Sequence, residues 1–198
     1  GNELLIVTNG GGAGVLAVDD LMRLDGKLAP INESVVAMLD EVLPANWSRA
    51  NPIDIIGDAT PERYKATLDA VFANSEADGI LVMNCPTALA SSTDAAQAVL
   101  DAIAQVQNPK DLPPVLTNWL GEQVAAGGRR KFHKANIPTY ESPTDAIKGF
   151  FYLWQHTKAQ DVLMRTPPKQ TSRTHVADAA ARTIMRTAAK AGRSLLTE

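Results

Sequence analysis

The chain is poor in the groups that usually announce a self-contained activity. A single cysteine, Cys85, stands in 198 residues, so no internal disulfide can form and a reducing, cytoplasmic setting is expected. No stretch approaches the roughly 18 consecutive apolar residues of a membrane-spanning helix, and no association with a membrane is expected. The three histidines, His133, His156 and His175, lack metal-ligand spacing, and no metal site is expected. There is no Gly-x-Ser-x-Gly elbow, no His-Glu-x-x-His and no paired-cysteine motif, which excludes the familiar self-contained catalytic sets. The formal charge of -3 argues against nucleic acid as a partner, because phosphate-backbone affinity comes from clustered Lys and Arg. The N-terminus has no basic segment followed by an apolar run, and it enters a strand at Glu3. A start that abrupt points to a piece of a longer chain.

What is present is a globular composition, 45% hydrophobic and 21% charged, with short apolar runs that alternate with helical patterns. That alternation predicts βαβ units and a parallel sheet. Strand 4–8 runs into Asn9-Gly10-Gly11-Gly12-Ala13-Gly14 and then a helix over 15–24, closed by Asp25-Gly26. A short strand is expected at 27–31, and Asn32 or Ser34 caps a helix reaching Leu43. Asn51-Pro52-Ile53-Asp54 leads to Thr60 as an N-cap, Pro61 as the first helical residue and a helix to Asn74. Residues 79–84 form the clearest buried strand, followed by a polar turn over 85–92 and a helix over 93–107. A strand at 114–117, a basic-faced helix over 122–135, a strand at 137–139 and a helix over 143–156 complete the pattern. The fold expected is α/β: a flavodoxin-like, doubly wound parallel sheet in three layers, binding its ligands beyond the carboxyl ends of the strands. The domain is assigned to residues 1–158. Residues 159–198 are read as a linker over 165–173 and a helix over 175–191, whose thin apolar side (Val176, Ala180, Ile184, Ala188) packs either on something absent or back on the domain.

Two strand ends carry candidate chemistry. The glycine run, Asn9, Gly10, Gly11, Gly12 and Ala13, joins a strand to a helix, where free N–H groups and the helix dipole favour an anion, phosphate above all. A tight turn with close helix packing is the structural alternative. It is not a Walker sequence, and Val15 stands where a dinucleotide fingerprint needs its third glycine. The second turn, Asn84, Cys85, Pro86, Thr87 and Ala88 on to Ser92, offers hydroxyls for a carboxylate or phosphate; alternatively Ser92 or Thr93 is only an N-cap. Cys85 reads either as a nucleophile or as a small buried apolar residue, and no base lies near it in sequence. Asp58 and Glu62 read as helix-start residues, whereas Asp54, a charge in an apolar run, is expected to bond backbone N–H groups and brace the glycine loop.

The segments Val7-Thr8-Asn9-Gly10-Gly11-Gly12-Ala13-Gly14-Val15-Leu16-Ala17, Asn51-Pro52-Ile53-Asp54 and Ile80-Leu81-Val82 through Pro86-Thr87, with Trp119-Leu120-Gly121-Glu122 and Ile137-Pro138-Thr139-Tyr140 before Ser142-Pro143, resemble in order the nucleoside-diphosphate-forming acyl-CoA synthetases. These are relatives of succinyl-CoA synthetase, and the resemblance covers about residues 3–157. It implies the second succinyl-CoA-ligase-type flavodoxin domain of an enzyme that also has a CoA-binding domain, a phosphohistidine domain and an ATP-grasp domain. Gly192 to Glu198 resembles the opening of that ATP-grasp unit. The reaction implied interconverts acyl-CoA, nucleoside diphosphate and phosphate with acid, CoA and nucleoside triphosphate, through acyl phosphate and phosphohistidine. CoA, ATP or ADP and Mg are then ligands of the whole enzyme, a small carboxylic acid is the substrate, and a homo-oligomer is compatible with the family. By the same resemblance Asn9, Gly10, Gly11 and Gly12 cradle the phosphate, and residues 84–88 lie near the acyl group. The family's histidine has no counterpart in the chain, so the chain alone is expected to be inactive. Relatives fused to an acetyltransferase, which act as acyl-CoA-responsive regulators of protein lysine acetylation, are the alternative. A stand-alone flavodoxin-like module for a nucleotide or flavin is the second.

Overall fold

The computed structural model describes residues 1–108, 112–165 and 178–193, with residues 178–180 described by their backbone alone. It divides into two compact units, Gly1–Ala159 and Gln160–Glu198.

In the first unit the strands are β1 (Glu3–Thr8), β2 (Lys27–Leu28), β3 (Ile53–Asp54), β4 (Gly79–Asn84), β5 (Val115–Trp119) and β6 (Thr139–Tyr140). They are separated by α1 (Gly11–Arg23), α2 (Glu33–Val42), α3 (Pro61–Asn74), α4 (Ser92–Gln105) and α5 (Gln123–Lys134), and α6 (Pro143–Met164) follows β6. All pairings are parallel, in the order β2-β1-β4-β5-β6. β3 joins the same edge of β1 as β2, pairing Val7 and Thr8 while β2 pairs Glu3 and Leu4. Together β2 and β3 make one interrupted edge, and the result is the flavodoxin-like, doubly wound α/β fold.

Asn51 fills the interruption. Its Oδ1 accepts from Ile6 N at 3.0 Å, and its Nδ2 donates to Leu4 O and Ala29 O at 2.8 and 2.9 Å, so one side chain stands in for a missing strand residue. Alternate residues of the central strands feed two cores. Leu5, Val7, Ile80 and Val82 pack with Tyr64, Leu68, Val99 and Phe132 of α3, α4 and α5. Leu4, Ile6, Leu81, Met83 and Leu116 pack with Leu21 of α1 and with Ile147, Phe150 and Phe151 of α6. Each fully buried Leu, Ile or Phe contributes roughly 1.5–3 kcal/mol.

The differences from the sequence reading lie at element ends. α1 starts at Gly11, not near Val15, because the glycines form its first turn. It closes on Asp25 at φ 61°, with Gly26 N donating back to Leu21 O at 2.9 Å, so an aspartate and not the glycine takes the left-handed position. Asn32 is the cap of α2. Thr60, Pro61 and the end at Asn74 are as expected for α3. α4 is capped by Ser91, whose side chain accepts from Asp94 N, and neither Ser92 nor Thr93 has that role. β5 extends to Trp119, and β6 is displaced to Thr139–Tyr140. α6 continues to Met164 where the sequence predicts an end at His156, so the boundary drawn at residue 158, like the division of the units after Ala159, falls within this helix. In the second unit α7 spans Asp178–Lys190, with Ile184 and Met185 exposed. All of the expected linker over 165–173 except Arg165, the start of the tail helix at His175 and the last residues of the ATP-grasp-like segment, 194–198, lie outside the described residues. Among the described residues no helix is long and apolar enough to cross a membrane.

Candidate functional site

The winding direction reverses between β1 and β4, and there the two candidate loops meet. Asn9, 4% exposed, joins them: its Oδ1 accepts from Cys85 N at 2.7 Å and its Nδ2 donates to Cys85 O at 2.9 Å. The Asn9 side chain is thereby committed to the neighbouring loop. Thr8 shapes the turn, its Oγ1 accepting from Gly10 N at 3.0 Å and donating to Gly10 O at 3.1 Å. At Gly10 the close approach excludes any side chain, since a Cβ would lie 2.4 Å from Cys85 Sγ.

Beyond Gly10 the chain enters α1 without a side-chain cap and without an acidic residue in the first turn. Gly14 N is the first to bond back, to Gly10 O at 3.1 Å, which leaves the N–H groups of Gly11, Gly12 and Ala13 with no acceptor inside the helix. Gly11 and Gly12 are exposed, and a Cβ added at Gly12 would meet nothing within 4 Å. Beside this turn lies an open cavity of about 300 Å³ lined by Thr8, Gly11, Val15, Val18, Ser48, Pro52 and Asp54.

Asp54 closes one side. Its Oδ1 accepts from Ile56 N at 2.9 Å, its own N–H donates to Ser48 Oγ at 3.0 Å, and its Oδ2 lies 3.0 Å from where a Cβ on Gly11 would stand. The carboxylate thus bonds a neighbouring N–H group and abuts the glycine turn. Asp58 is paired with Arg63, whose hydrogen bond holds its carboxyl below the usual range, and Glu62 is lowered by its own backbone N–H and by Thr60. Among the described residues no three His, Cys, Asp or Glu side chains are grouped to hold a metal ion.

The second loop rests on a buried network. Tyr64 OH donates to Met83 O at 3.0 Å and accepts from Asn84 Nδ2 at 3.0 Å, and burial pushes its phenol far up. Asn84 Oδ1 and Ser92 Oγ are buried and have no partner among the described residues. Trp119 Nε1 donates to Ser92 O at 2.8 Å, tying the end of β5 to the start of α4. Cys85 is half-buried, and burial first, then the charge of Asp54, pushes its thiol above the ordinary range, the opposite of an activated nucleophile. Pro86 and Thr87 are half-buried and Ala88 is exposed; Thr87 Oγ1 accepts from Leu89 N at 3.3 Å in a local turn. The sequence gives no role to Ser48 or Tyr64, and names Asn51 only within a motif and Arg129 only within a basic helix face. Their partners lie far along the chain or on the opposite side of a loop, and no local spacing signals them.

Fold and strand-end loops together define a flavodoxin-like α/β domain. No protein-family model matches the chain. It is 34% identical, over 161 residues, to the alpha subunit of the ADP-forming acetate–CoA ligase II of Pyrococcus furiosus, a match that spans 80% of this chain and 34% of that subunit. The ADP-forming acetate–CoA ligase of Methanocaldococcus jannaschii is 32% identical over 156 residues, 79% of this chain and 22% of that enzyme. Among solved structures, the dinucleotide-forming acetyl-coenzyme A synthetase 1 of Ca. Korarchaeum cryptofilum matches with a TM-score of 0.76 at 30% identity, over 83% of this chain and 35% of that one. That enzyme is also known in complex with phosphate and ADP. The chain belongs to the ADP-forming acyl-CoA synthetase family, and it spans about a third or less of the curated relatives named here.

Proposed function

We propose that the chain serves as the phosphate-cradling flavodoxin-like domain of an ADP-forming acyl-CoA synthetase. That enzyme interconverts acyl-CoA, ADP and phosphate with acid, CoA and ATP through acyl phosphate and phosphohistidine. The observation that carries this reading is the open N-terminus of α1: no side-chain cap, no acidic residue in the first turn, and exposed glycines at its tip. Free N–H groups and roughly half a positive charge favour an anion at such a terminus. A transferred phosphoryl group needs its oxygens stabilised and no covalent partner from this domain, so a loop without a nucleophile suits the task.

In this reading Gly11, Gly12 and Ala13 offer their N–H groups to a phosphoryl group borne by the histidine of another domain. Asn9 and Gly10 act through shape, the first by holding Cys85 and the second by admitting its sulfur. Asp54 supports the turn from the side. Residues 84–88 border the acyl group. The partners are the CoA-binding, phosphohistidine and ATP-grasp domains of the synthetase, the ligands of the whole are CoA, ADP or ATP and Mg, and the substrate is a small carboxylic acid. The relatives matched are ligases, which favours this reading over a regulator of protein acetylation.

The test is phosphohistidine formation from ATP, or from acyl-CoA and phosphate, in the assembled synthetase carrying Gly12→Val. A Cβ at Gly12 meets open space, so the fold should stand while phosphorylation collapses. Phosphorylation at the normal rate would reduce the glycine turn to a packing device.

A further inference from the structure

One side chain holds the loop that follows β5. Residues 120–122 leave the sheet at Trp119 and enter α5 at Gln123, with Gly121 at φ 92°. Arg129 of α5 folds back over them. Its Nη1 donates to Trp119 O at 2.9 Å and to Gly121 O, and its Nη2 donates to Glu122 O at 2.9 Å. The side chain is 12% exposed, and Glu141 Oε1 lies 3.3 Å from Nη2. A planar guanidinium with several donors in a fixed fork can gather carbonyls in this way, whereas a lysine ammonium presents a point charge on a flexible stem.

The clamped loop in turn backs the second candidate loop. Leu120 N donates to Asn84 O at 3.0 Å, and a Cβ placed on Gly121 would come within 3.3 Å of Pro86 Cγ. No bond links Arg129 directly to residues 84–88 among the described contacts, so any influence on them passes through residues 120–122.

We infer that Arg129 is a positioning residue: by drawing the carbonyls of Trp119, Gly121 and Glu122 onto one guanidinium, it presses the β5–α5 loop against Asn84 and Pro86 and fixes the wall formed by residues 84–88. The consequence for substrate binding rests on the reading that these residues border the acyl group. The positioning itself does not depend on it.

Hydrogen exchange of the whole chain tests the positioning. In both Arg129→Lys and Arg129→Gln, amides of residues 85–91 and 120–122 should exchange at least about threefold faster, with those of β1 unchanged. Faster exchange confined to 120–122, with 85–91 as in the wild type, overturns the inference. If either variant loosens the whole sheet, Gly121→Ala decides. Gly121 is exposed at φ 92°, where a side chain strains the backbone, and a Cβ there crowds Pro86 Cγ, so the loop shifts with the Arg129 side chain unchanged and 85–91 must again exchange faster. Unchanged exchange there also overturns the inference. In the assembled synthetase both Arg129 variants should raise KM for the carboxylic acid about tenfold, leaving KM for the nucleotide unchanged and kcat within about twofold. An Arg129→Lys enzyme with wild-type KM for the acid overturns the role in binding. A wild-type assembly that makes no acyl-CoA would sink the synthetase reading and leave the exchange result to judge the clamp.

Discussion

The N-termini of α1 and α4 follow the two strands between which the winding reverses, and they are finished in opposite ways. α4 is closed by its own residues: Ser91 accepts from Asp94 N, and Asp94 adds a carboxylate to the first turn. α1 has neither device, and its tip is exposed glycine. The orphan N–H groups of a helix start must find acceptors somewhere. In α4 the Ser91 side chain supplies one, to Asp94 N, whereas in α1 no side chain caps the first turn, although the Asp54 carboxylate stands beside Gly11. The proposed anion site therefore falls at α1, while in the loop before α4 Cys85 N and the Asn84 amide are turned inward to Asn9 and Tyr64.

The sharpest way to break this contrast is Gly12→Val in the assembled synthetase. Phosphohistidine formation should fall by about 100-fold, equivalent to about 2.7 kcal/mol of barrier, with little change in the unfolding midpoint of the chain. A normal rate would mean that both helix starts are structural. Next in size is the bridge between the two regions. Asn9→Ala strands the N–H and C=O of Cys85 and should cost about 2–3 kcal/mol in urea unfolding. A loss below about 0.5 kcal/mol would show that the loops hold their places without it. Ser91→Ala should cost about 1 kcal/mol, and Ser91→Gly only a few tenths, because only the cap of α4 is removed. Should Ser91→Ala be neutral, the closed character of α4 would be in question.

The smallest effect concerns the junction itself. Alkylation of Cys85 in the folded chain should lag behind that of the unfolded chain at mildly alkaline pH, because burial and the Asp54 carboxylate both disfavour the thiolate. Asp54→Asn should move the folded profile part of the way down, since it removes the charge and leaves the burial. An unmoved profile would detach Asp54 from this junction.

The alternation of apolar strands with helical stretches determined the parallel sheet, because a strand buried on both faces must be continuously apolar and each crossover must present one apolar side. Local chemistry likewise fixed Thr60, Pro61 and Asn32 at their helix starts, and glycine followed by glycine at the end of β1 marked the open turn. Only the tertiary structure decided what Asn9, Asn51 and Tyr64 do, since each satisfies backbone groups of segments the sequence does not place beside it, and how Arg129 folds back over the loop before its own helix. It also decided that Gly10 yields to a sulfur 75 positions away and that Ser91, not its neighbours, caps α4. Strands and helices follow from periodicities carried by nearby residues, whereas a hydrogen bond across the sheet edge depends on register and on the depth of two loops, which exist only once the chain has closed on itself.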